Sequence, residues 1–242
     1  MKIKLSDQDE NRFGVVTAKA VLENHESSEA ILGWCREQKV EFCIVRIPTA
    51  HIQLAQNLEL AGFFLTDSLV YYANYVIRTE PLQFPSGYRH REATPQDVGA
   101  LADLAAIVFQ GYEGHYHADP HLHREDCNQV YSSWAANSCS DKRVADVVHL
   151  VLSGSTIVGF LAIKLSDNDS AEIVLNGVHP NHQKLGLYSQ LIKLAKVWCV
   201  DHQIKRLLIS TQLMNVSVQK VWCRQGFEPS KSFYTFHKWF SR

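Results

Sequence analysis

A strand, a turn with one glycine and a helix follow one another over residues 171–202, and this succession most constrains the fold. Residues 171–177 are mostly apolar and β-branched, which predicts a strand, and residues 189–202 read as a helix. The first N–H groups of a helix have no partner inside it, so a turn leading into a helix suits a phosphate or pyrophosphate. Gly186 would let the main chain approach such an anion without a side chain in between.

The turn carries the pattern Val178-x-Pro-x-x-Gln183-x-x-Gly186. It is neither a Walker loop, which ends in Gly-Lys-Ser/Thr, nor the dinucleotide fingerprint, which needs more glycines. It resembles the pyrophosphate loop of the GNAT superfamily of acyl-CoA-dependent N-acyltransferases, whose pattern is Gln/Arg-x-x-Gly-x-Gly/Ala. Gln183 and Gly186 match that pattern, whereas Tyr188 stands where a small residue is usual. The resemblance implies acyl-CoA, or coenzyme A, as the cofactor.

The resemblance covers roughly residues 88–242, where the predicted elements follow the order of the superfamily. They are a strand at 88–92, a helix from 94, strands at 146–152, 155–165 and 171–178, the helix at 189–202, a strand at 206–211, a helix at 215–224 and a strand at 232–240. The implied fold is an α/β (α+β) GNAT fold around a mixed, mostly antiparallel sheet.

Residues 1–82 resemble a degenerate copy of the end of the chain. Their pattern predicts strands at 13–22, 41–47 and 69–77 and helices at 28–39 and 50–61. At one constant offset, Trp34-Cys35 falls on Trp198-Cys199, and Gly62-Phe63 falls on Gly226-Phe227. An unrelated α/β extension is the alternative.

The same offset places residues 19–24 on the glycine-containing turn, and these residues contain no glycine. The N-terminal half is therefore not expected to hold a pyrophosphate, and a structural or substrate-binding role is expected instead. A segment with two prolines and a glycine near residues 78–88 predicts a linker. We predict an N-terminal domain over residues 1–82 and a catalytic, acyl-CoA-binding domain over residues 83–242.

Charge and composition argue against several other classes of protein. A formal net charge of −1 gives no electrostatic footprint for nucleic acid. No apolar run approaches the ~20 residues of a membrane span, and the first residues are too short and polar a stretch for a signal peptide. The six cysteines include no Cys-x-x-Cys pair. We expect a cytoplasmic protein with reduced cysteines and neither nucleic acid nor membrane as a partner.

Residues 111–124 form a loop rich in histidine. The pairs His115/His117 and His121/His123 could hold zinc if the loop folded back, but no third cluster supports a metal. A loop that faces the substrate is the preferred reading, no metal site is predicted, and an unspecialised surface is the remaining alternative.

Short motifs scattered over the chain resemble a narrower group, the bacterial dTDP-fucosamine acetyltransferases. They are Asn11-Arg-Phe-Gly14, Leu60-Ala-Gly-Phe63, the run from Tyr131 to Asn137 and the run from Ser210 to Asn215. The resemblance implies transfer of an acyl group (acetyl, or a larger one such as hydroxybutyryl) to the amine of a dTDP-3- or 4-amino-dideoxyhexose. Examples are dTDP-3-amino-3,6-dideoxygalactose and dTDP-fucosamine, used for O-antigen, lipopolysaccharide or other surface polysaccharides. It also suggests a homodimer.

The two resemblances imply roles for individual residues. Backbone groups of Asn176, Gly177 and Val178 would pair with the pantetheine arm, and an N–H near Val178 or His179 would polarise the thioester carbonyl. The other expected contacts to the cofactor are Gln183, Lys184, Leu185, Gly186, Leu187, Tyr188, Ser189, Asn215 and Trp222. The expected contacts to the substrate are Tyr112, His115, Tyr116, His117, His121, Trp134 and Gln212.

Proton transfer is where the sequence departs from the superfamily. Related enzymes carry a tyrosine acid seven residues after the asparagine matched by Asn215, and Trp222 occupies that position here. Tyr234 and Tyr188 are candidate substitutes, but the preferred interpretation is that neither acts as an acid, since the absence of an acid would slow the reaction rather than forbid it. Glu172 is the preferred base, with His179 and the loop histidines as rivals and proton loss to water as a further alternative.

Two other functions stay open at this point. One is acylation of a protein or a small amine. The other is a non-catalytic sensor that binds coenzyme A, which the missing tyrosine makes admissible.

Overall fold

The computed structural model describes residues 2–22, 27–76 and 79–240. Its strands are β1 (Lys2–Leu5), β2 (Thr17–Val21), β3 (Phe42–Pro48), β4 (Phe64–Tyr75), β5 (Tyr88–Glu92), β6 (Val147–Ser153), β7 (Thr156–Leu165), β8 (Ser170–Val178), β9 (Arg206–Gln212) and β10 (Glu228–Trp239). Its helices are α1 (Asp7–Phe13), α2 (Ser28–Glu37), α3 (Ile52–Leu60), α4 (Val98–Val108), α5 (Arg124–Ser140), α6 (Leu187–Asp201) and α7 (Val216–Arg224). None of these helices is long and apolar enough to cross a membrane.

One sheet of 10 strands runs through the described residues in the order β1-β2-β3-β10-β4-β9-β8-β7-β6-β5. Only the β2–β3 and β8–β9 neighbours are parallel, and the other neighbours are antiparallel. The predicted mixed, mostly antiparallel sheet is confirmed. Strands from both predicted segments share this sheet, and the division into two domains at residue 82 stays a prediction.

The two halves of the sheet are related by an approximate twofold rotation. β3, α3 and β4 have the bounds of β9, α7 and β10 shifted by 164 residues, which is 216 minus 52 for the helix starts. Strand pairing obeys the same relation, because Phe233↔Pro48 in one half corresponds to Leu69↔Gln212 in the other. The last strand of each half is exchanged, so β10 lies between β3 and β4.

The pairing also corrects the predicted match between residues 19–24 and the glycine-containing turn. Lys19 pairs with Ile44 in β3, and Glu172 pairs with Leu208 at the equivalent place in β9. Lys19 is therefore the counterpart of Glu172 inside a strand, and residues 23–26 lie outside the described residues. β8 continues to Val178, whereas β2 ends at Val21. Among the described residues, β2 therefore stops before the positions that correspond to the end of β8.

Alternation along the strands gives the sheet two different faces. Tyr234 and Phe236 of β10 pack into a cluster with α2 and α3, and a larger cluster beneath α6 and α7 lies on the same face. His237 and Trp239 point to the opposite face, where they contact Phe42 of β3. That second face is covered by α1, α4, α5 and the loop between α4 and α5, and it contains the site described next.

Two elements differ from the sequence-based prediction. The predicted strand at residues 13–22 is the end of α1 followed by β2, because Gly14 ends the helix in a left-handed conformation, with φ 69°. The helix α5 was not predicted, because its sequence is mostly polar and its apolar stripe is weak.

Candidate active site

β8 and β9 separate partway along their length and leave an open strand edge. They pair only from Ser170 opposite Arg206 to Ile173 opposite Ile209. The His179 N–H donates to the Val158 carbonyl at 2.8 Å, which fixes the alternation of the antiparallel ladder with β7. The N–H groups of Asn176 and Val178 therefore point into the gap beside β9. Because the His179 N–H is already bonded, only the Val178 N–H of the two predicted donors is free to polarise a carbonyl there.

The glycine-containing turn follows directly on this strand edge. Gly186 has a φ of 79° and forms the cap of α6, and Lys184 also has a positive φ of 64°. Gln183 donates from Nε2 to the Val178 carbonyl at 3.2 Å, which ties the turn to the end of β8. The turn therefore presents the unbonded N–H groups of the first turn of α6 beside the open strand edge.

A cavity of about 960 Å³ connects the gap and the turn to the N-terminal half. Its wall includes nearly all the residues predicted to contact the cofactor: Asn176, Gly177, Val178, Gln183, Lys184, Gly186, Leu187, Tyr188, Ser189, Asn215 and Trp222. Leu185 is the exception, since it does not line the cavity and is 47% exposed. An open strand edge, a glycine turn and a helix start along one cavity fit the pantetheine and pyrophosphate of acyl-CoA.

Trp222, at the position of the missing tyrosine, forms a hydrogen bond with another tyrosine, Tyr188. It is 1% exposed, and its Nε1–H donates to the Tyr188 hydroxyl at 2.9 Å. Both side chains line the cavity, so a phenol stands next to the place where the superfamily tyrosine would lie. Burial raises the pKa of Tyr188, so that its hydroxyl keeps its proton at neutral pH.

Glu172 lines the cavity from β8, and the bulge at Val174 places its side chain on the opposite face of the strand from that of Asn176. Its Oε1 accepts from the Ser210 hydroxyl at 3.4 Å. Burial raises the pKa of Glu172, although Lys231, Arg46 and the Ser210 hydroxyl act in the opposite direction. A carboxylate with a raised pKa is a better proton acceptor near neutrality than an ordinary glutamate.

The structure does not bring two of the predicted proton-transfer residues to the cavity. His179 is outside its lining, and its Nδ1 accepts from the Asn181 N–H at 3.1 Å at the start of a short 3₁₀ turn. Tyr234 packs against the cluster of α2 and α3 on the opposite face of the sheet. Tyr234 was assigned from its residue type alone, and the alternation of β10 turns its ring away.

The histidine-rich loop also places only some of its predicted site residues at the cavity. Of the residues predicted to contact the substrate, those that line the cavity are Tyr112, His115, Tyr116, Trp134 and Gln212. His117 instead caps the Gly114 N–H and contacts Asn128, and His121 binds Asp119 at 3.0 Å. Neither His117 nor His121 lines the cavity. In the described ranges, no group of three or more His, Cys, Asp or Glu is arranged to hold a metal ion.

The N-terminal half contributes residues to the cavity that sequence reasoning missed. They are Gln8, Asp9, Arg12, Lys19, Arg46 and Tyr71. Lys19 and Arg46 each interrupt an otherwise apolar strand, in Ala18-Lys-Ala20 and in Ile44-Val-Arg-Ile47. A cation in the middle of an apolar strand is the signal that could have identified them, since buried charges need a partner or a function.

Comparison with known proteins gives the same assignment. The sequence model of the Acetyltransferase (GNAT) family matches residues 108–227. The spore coat polysaccharide biosynthesis protein SpsD of Bacillus subtilis (strain 168) is 24% identical over 205 residues, which cover 83% of this chain and 68% of that protein.

Two solved structures illustrate the shared fold. A GCN5-related N-acetyltransferase from Sphaerobacter thermophilus superposes with a TM-score of 0.65 and 12% identity, over 98% of this chain and 76% of that one. A tandem GNAT protein from the clavulanic acid biosynthesis pathway gives a TM-score of 0.61 and 13% identity, over 87% and 67%. The separated strands, the turn before α6 and the family match agree. The chain belongs to the GNAT superfamily and is an acyl-CoA-dependent N-acyltransferase.

Proposed function

We propose that this protein transfers an acyl group from acyl-CoA to the amine of an amino sugar linked to a nucleoside diphosphate. The observation that carries the proposal is the cavity itself, which joins the acyl-CoA gap at β8 to an unpaired arginine, Arg46, in the N-terminal half. From β8 to β2 the sheet spans five strand spacings, about 24 Å. An acceptor that fills this length carries its anionic group far from the reacting amine.

Arg46 is the strongest sign of an anionic acceptor. Its Nε is enclosed and has no hydrogen-bond partner, and no carboxylate of a described residue lies within 4.0 Å of its guanidinium. An unpaired cation in a partly enclosed site is costly unless a ligand supplies the opposite charge. The planar guanidinium matches a phosphate or diphosphate group through two parallel hydrogen bonds.

Two further cations stand beside Arg46 and share one carboxylate. Lys19 approaches Asp9 at 2.5 Å, and Arg12 approaches it at 3.4 Å. Asp9 also accepts from the hydroxyls of Ser6 and Tyr116. Lys19 and Arg12 share Asp9, which leaves Arg46 without a carboxylate of its own at ion-pair distance among the described residues. Arg46 acts at longer range on Asp67 and Glu172, and a ligand with a negative charge would pair with it directly.

Aromatic rings line the cavity between its two ends. Tyr112, Tyr131 and Trp134 contribute flat surfaces that suit a sugar face or a pyrimidine ring. The name of the Bacillus relative refers to polysaccharide biosynthesis, which agrees with an amino sugar as the acceptor. We therefore keep a dTDP-3- or 4-amino-dideoxyhexose for surface polysaccharide as the proposed acceptor, and acetyl or a larger acyl group as the proposed cargo.

The geometry supports direct attack of the amine. Bound acyl-CoA supplies the acyl group in an activated thioester. The Glu172 carboxylate accepts the proton that the amine nitrogen releases as it forms its new bond to the acyl carbon. The Val178 N–H points into the gap, where it can stabilise negative charge on the acyl oxygen. The Tyr188 hydroxyl, oriented by the Trp222 N–H, gives its proton to the departing sulfur.

Turnover of a panel of acceptors tests the proposed function. We expect release of free coenzyme A thiol with dTDP-linked amino sugars and acetyl- or hydroxybutyryl-CoA. We expect no comparable release with lysine peptides or polyamines. Coenzyme A binding without turnover of any sugar nucleotide would refute the proposal and favour a sensor. Turnover of a peptide alone would favour a protein acyltransferase.

Arg46→Gln should weaken binding of the acceptor substrate without affecting binding of the acyl donor. We expect KM for the sugar nucleotide to rise about 10- to 100-fold, because a charge-assisted contact of about 1.5–3 kcal/mol is lost. The dissociation constant for coenzyme A, measured by calorimetry, should stay within about twofold. Arg89→Gln makes the same change at an exposed position on β5 and should alter neither value. An unchanged KM in Arg46→Gln would contradict an anionic acceptor at this end.

Tyr188→Phe should lower kcat and leave the affinity for coenzyme A unchanged. We expect a loss of about 10²-fold or more, since a positioned acid contributes about 10²- to 10⁴-fold. Trp222→Phe keeps an aromatic ring, although a smaller one, and removes the N–H that orients the Tyr188 hydroxyl, so the loss of kcat should be smaller. Full activity in Tyr188→Phe would show that the thiolate leaves without protein help.

A further inference from the structure

A buried chain of three side chains crosses the second face of the sheet and ends at the cavity. Asp119 Oδ2 lies 2.7 Å from Nδ1 of His237 on β10, and His237 Nε2 lies 2.9 Å from Nδ1 of His115. Asp119 and His237 are enclosed, and His115 is 9% exposed. The proposed reaction uses none of these three groups, so the arrangement asks for a separate explanation.

Asp119 is held as a carboxylate. Burial alone raises its pKa, but hydrogen bonds from His237, the His121 N–H and Trp239 Nε1 bring the pKa down to about 2. An ionised carboxylate can only accept hydrogen bonds. The proton between Asp119 and His237 therefore sits on Nδ1 of His237.

The protonation of His237 determines that of His115. Burial lowers the pKa of His237, so its ring is neutral at neutral pH and carries only the Nδ1 proton. Its Nε2 then accepts, and the hydrogen in the 2.9 Å contact belongs to Nδ1 of His115. Burial, His237 and Arg46 lower the pKa of His115 as well, so Nε2 of His115 is left without a proton.

The unprotonated Nε2 of His115 is accessible from the cavity. His115 lines the cavity, and its Nε2 has no hydrogen-bond partner in the described ranges. Nε2 of His115 is not fully enclosed, in contrast to Nε2 of His149, which is enclosed and has no partner among the described residues. Its neighbours at the cavity wall are Tyr116, whose hydroxyl is committed to Asp9, and the cations of the N-terminal half.

We infer that Asp119 and His237 lock His115 as a hydrogen-bond acceptor that selects an acceptor substrate with a hydroxyl group at this point. This inference rests on the proposed function and deepens it, because it turns His115 into a specificity-determining contact. His115 is not assigned as a base, since its surroundings oppose the imidazolium. Asp119 and His237 act through His115 and are positioning residues.

The protonation pattern is tested first, without any substrate. Nitrogen-15 NMR of the wild-type protein with labelled histidine reports which ring nitrogens carry a proton. The signals are assigned by comparison with His115→Phe and His237→Phe. We expect a bare Nε2 and a protonated Nδ1 on His115 from about pH 6 to 8. A proton on Nε2 of His115 in this range would overturn the inference, whatever the enzyme acylates.

Substrate selectivity is tested second, with pairs of sugar nucleotides that differ by one hydroxyl. For one of the hydroxyls, we expect its removal to lower kcat/KM of the wild type by about 10- to 100-fold. His115→Phe should reduce that preference to within about threefold, because phenylalanine offers no acceptor to the substrate hydroxyl. His237→Leu should give an intermediate loss that appears in KM for the acceptor and not in the affinity for coenzyme A.

His123→Phe serves as the matched control, since it makes the same change at an exposed position of the same loop. It should retain the full preference of the wild type. If sugar nucleotides are acylated but every deoxy analogue reacts as well as its parent, the hydroxyl contact is wrong while the proposed function stands. If no sugar nucleotide is acylated, the proposed function fails and the NMR result still decides the protonation pattern.

Discussion

Glu172→Gln is expected to lower kcat by about 10²- to 10⁴-fold, the contribution typical of a positioned base. Glutamine keeps the size of the side chain and its contact with Ser210, but it cannot accept the proton of the amine. Because burial raises the pKa of Glu172 above the ordinary 4.5, wild-type activity should fall with decreasing pH through a midpoint above that value. The variant should lose this acid limb. Initial rates from pH 5 to 9 with saturating acyl-CoA measure both effects.

Stability distinguishes this loss from misfolding. A carboxyl group whose pKa is raised by folding stabilises the protein when protonated, and that contribution is lost as pH rises through the folded pKa. Glu172→Gln should therefore be at least as stable as the wild type at pH 7.5 by thermal denaturation. Glu59→Gln, an exposed change on α3, should retain full activity. Unchanged kcat and an unchanged acid limb in Glu172→Gln would remove Glu172 as the base.

Gly186→Val is expected to abolish measurable binding of coenzyme A at concentrations that saturate the wild type. Gly186 has a φ of 79°, and a β-branched residue is a strong outlier in that conformation. An added Cβ meets no protein atom within 4 Å, so the defect lies in the backbone of the turn and in the approach of the pyrophosphate. Titration calorimetry with coenzyme A gives the affinity directly.

Gly154→Val is a matched control for this strain. Gly154 lies in the hairpin turn between β6 and β7 with a φ of 60°, and an added Cβ there also meets no atom within 4 Å. Both variants should lose similar stability, yet Gly154→Val should bind coenzyme A like the wild type. Equal loss of binding in the two variants would mean that a general folding defect explains the result for Gly186.

The proposed acyl-CoA end of the molecule was largely predictable from sequence because it depends on local features. The strand, the turn with Gly186 and the start of α6 are consecutive in the chain, and their bounds agree closely with the prediction. The repeat at a constant offset was also readable, since it preserves the spacing of apolar residues and of two dipeptides.

The proposed acceptor end was not predictable because its residues come together only through the sheet. Lys19 and Arg46 lie far in sequence from Glu172, and the exchange of β4 and β10 brings them to one cavity. The role of Trp222 was missed for a related reason. Its hydrogen bond to Tyr188 joins residues on α6 and α7, and neither residue type indicates the pair by itself.

Tyr234 and the loop histidines show the limit of assignment by residue type. Tyr234 lies on a strand, where a one-residue step moves a side chain to the other face of the sheet. His237, three residues later on the same strand, faces the site instead and joins a chain with Asp119 and His115. Sequence identified the loop as important, but only the fold shows which of its histidines reaches the cavity.

The central place of β10 has a consequence for how the polypeptide can be made. β3 and β4 emerge early in translation, and each pairs with β10 along one side. Both edges stay unpaired until residues 228–239 have left the ribosome, and exposed edges of this kind invite pairing with other chains. The sheet therefore closes after synthesis of its last strand rather than half by half.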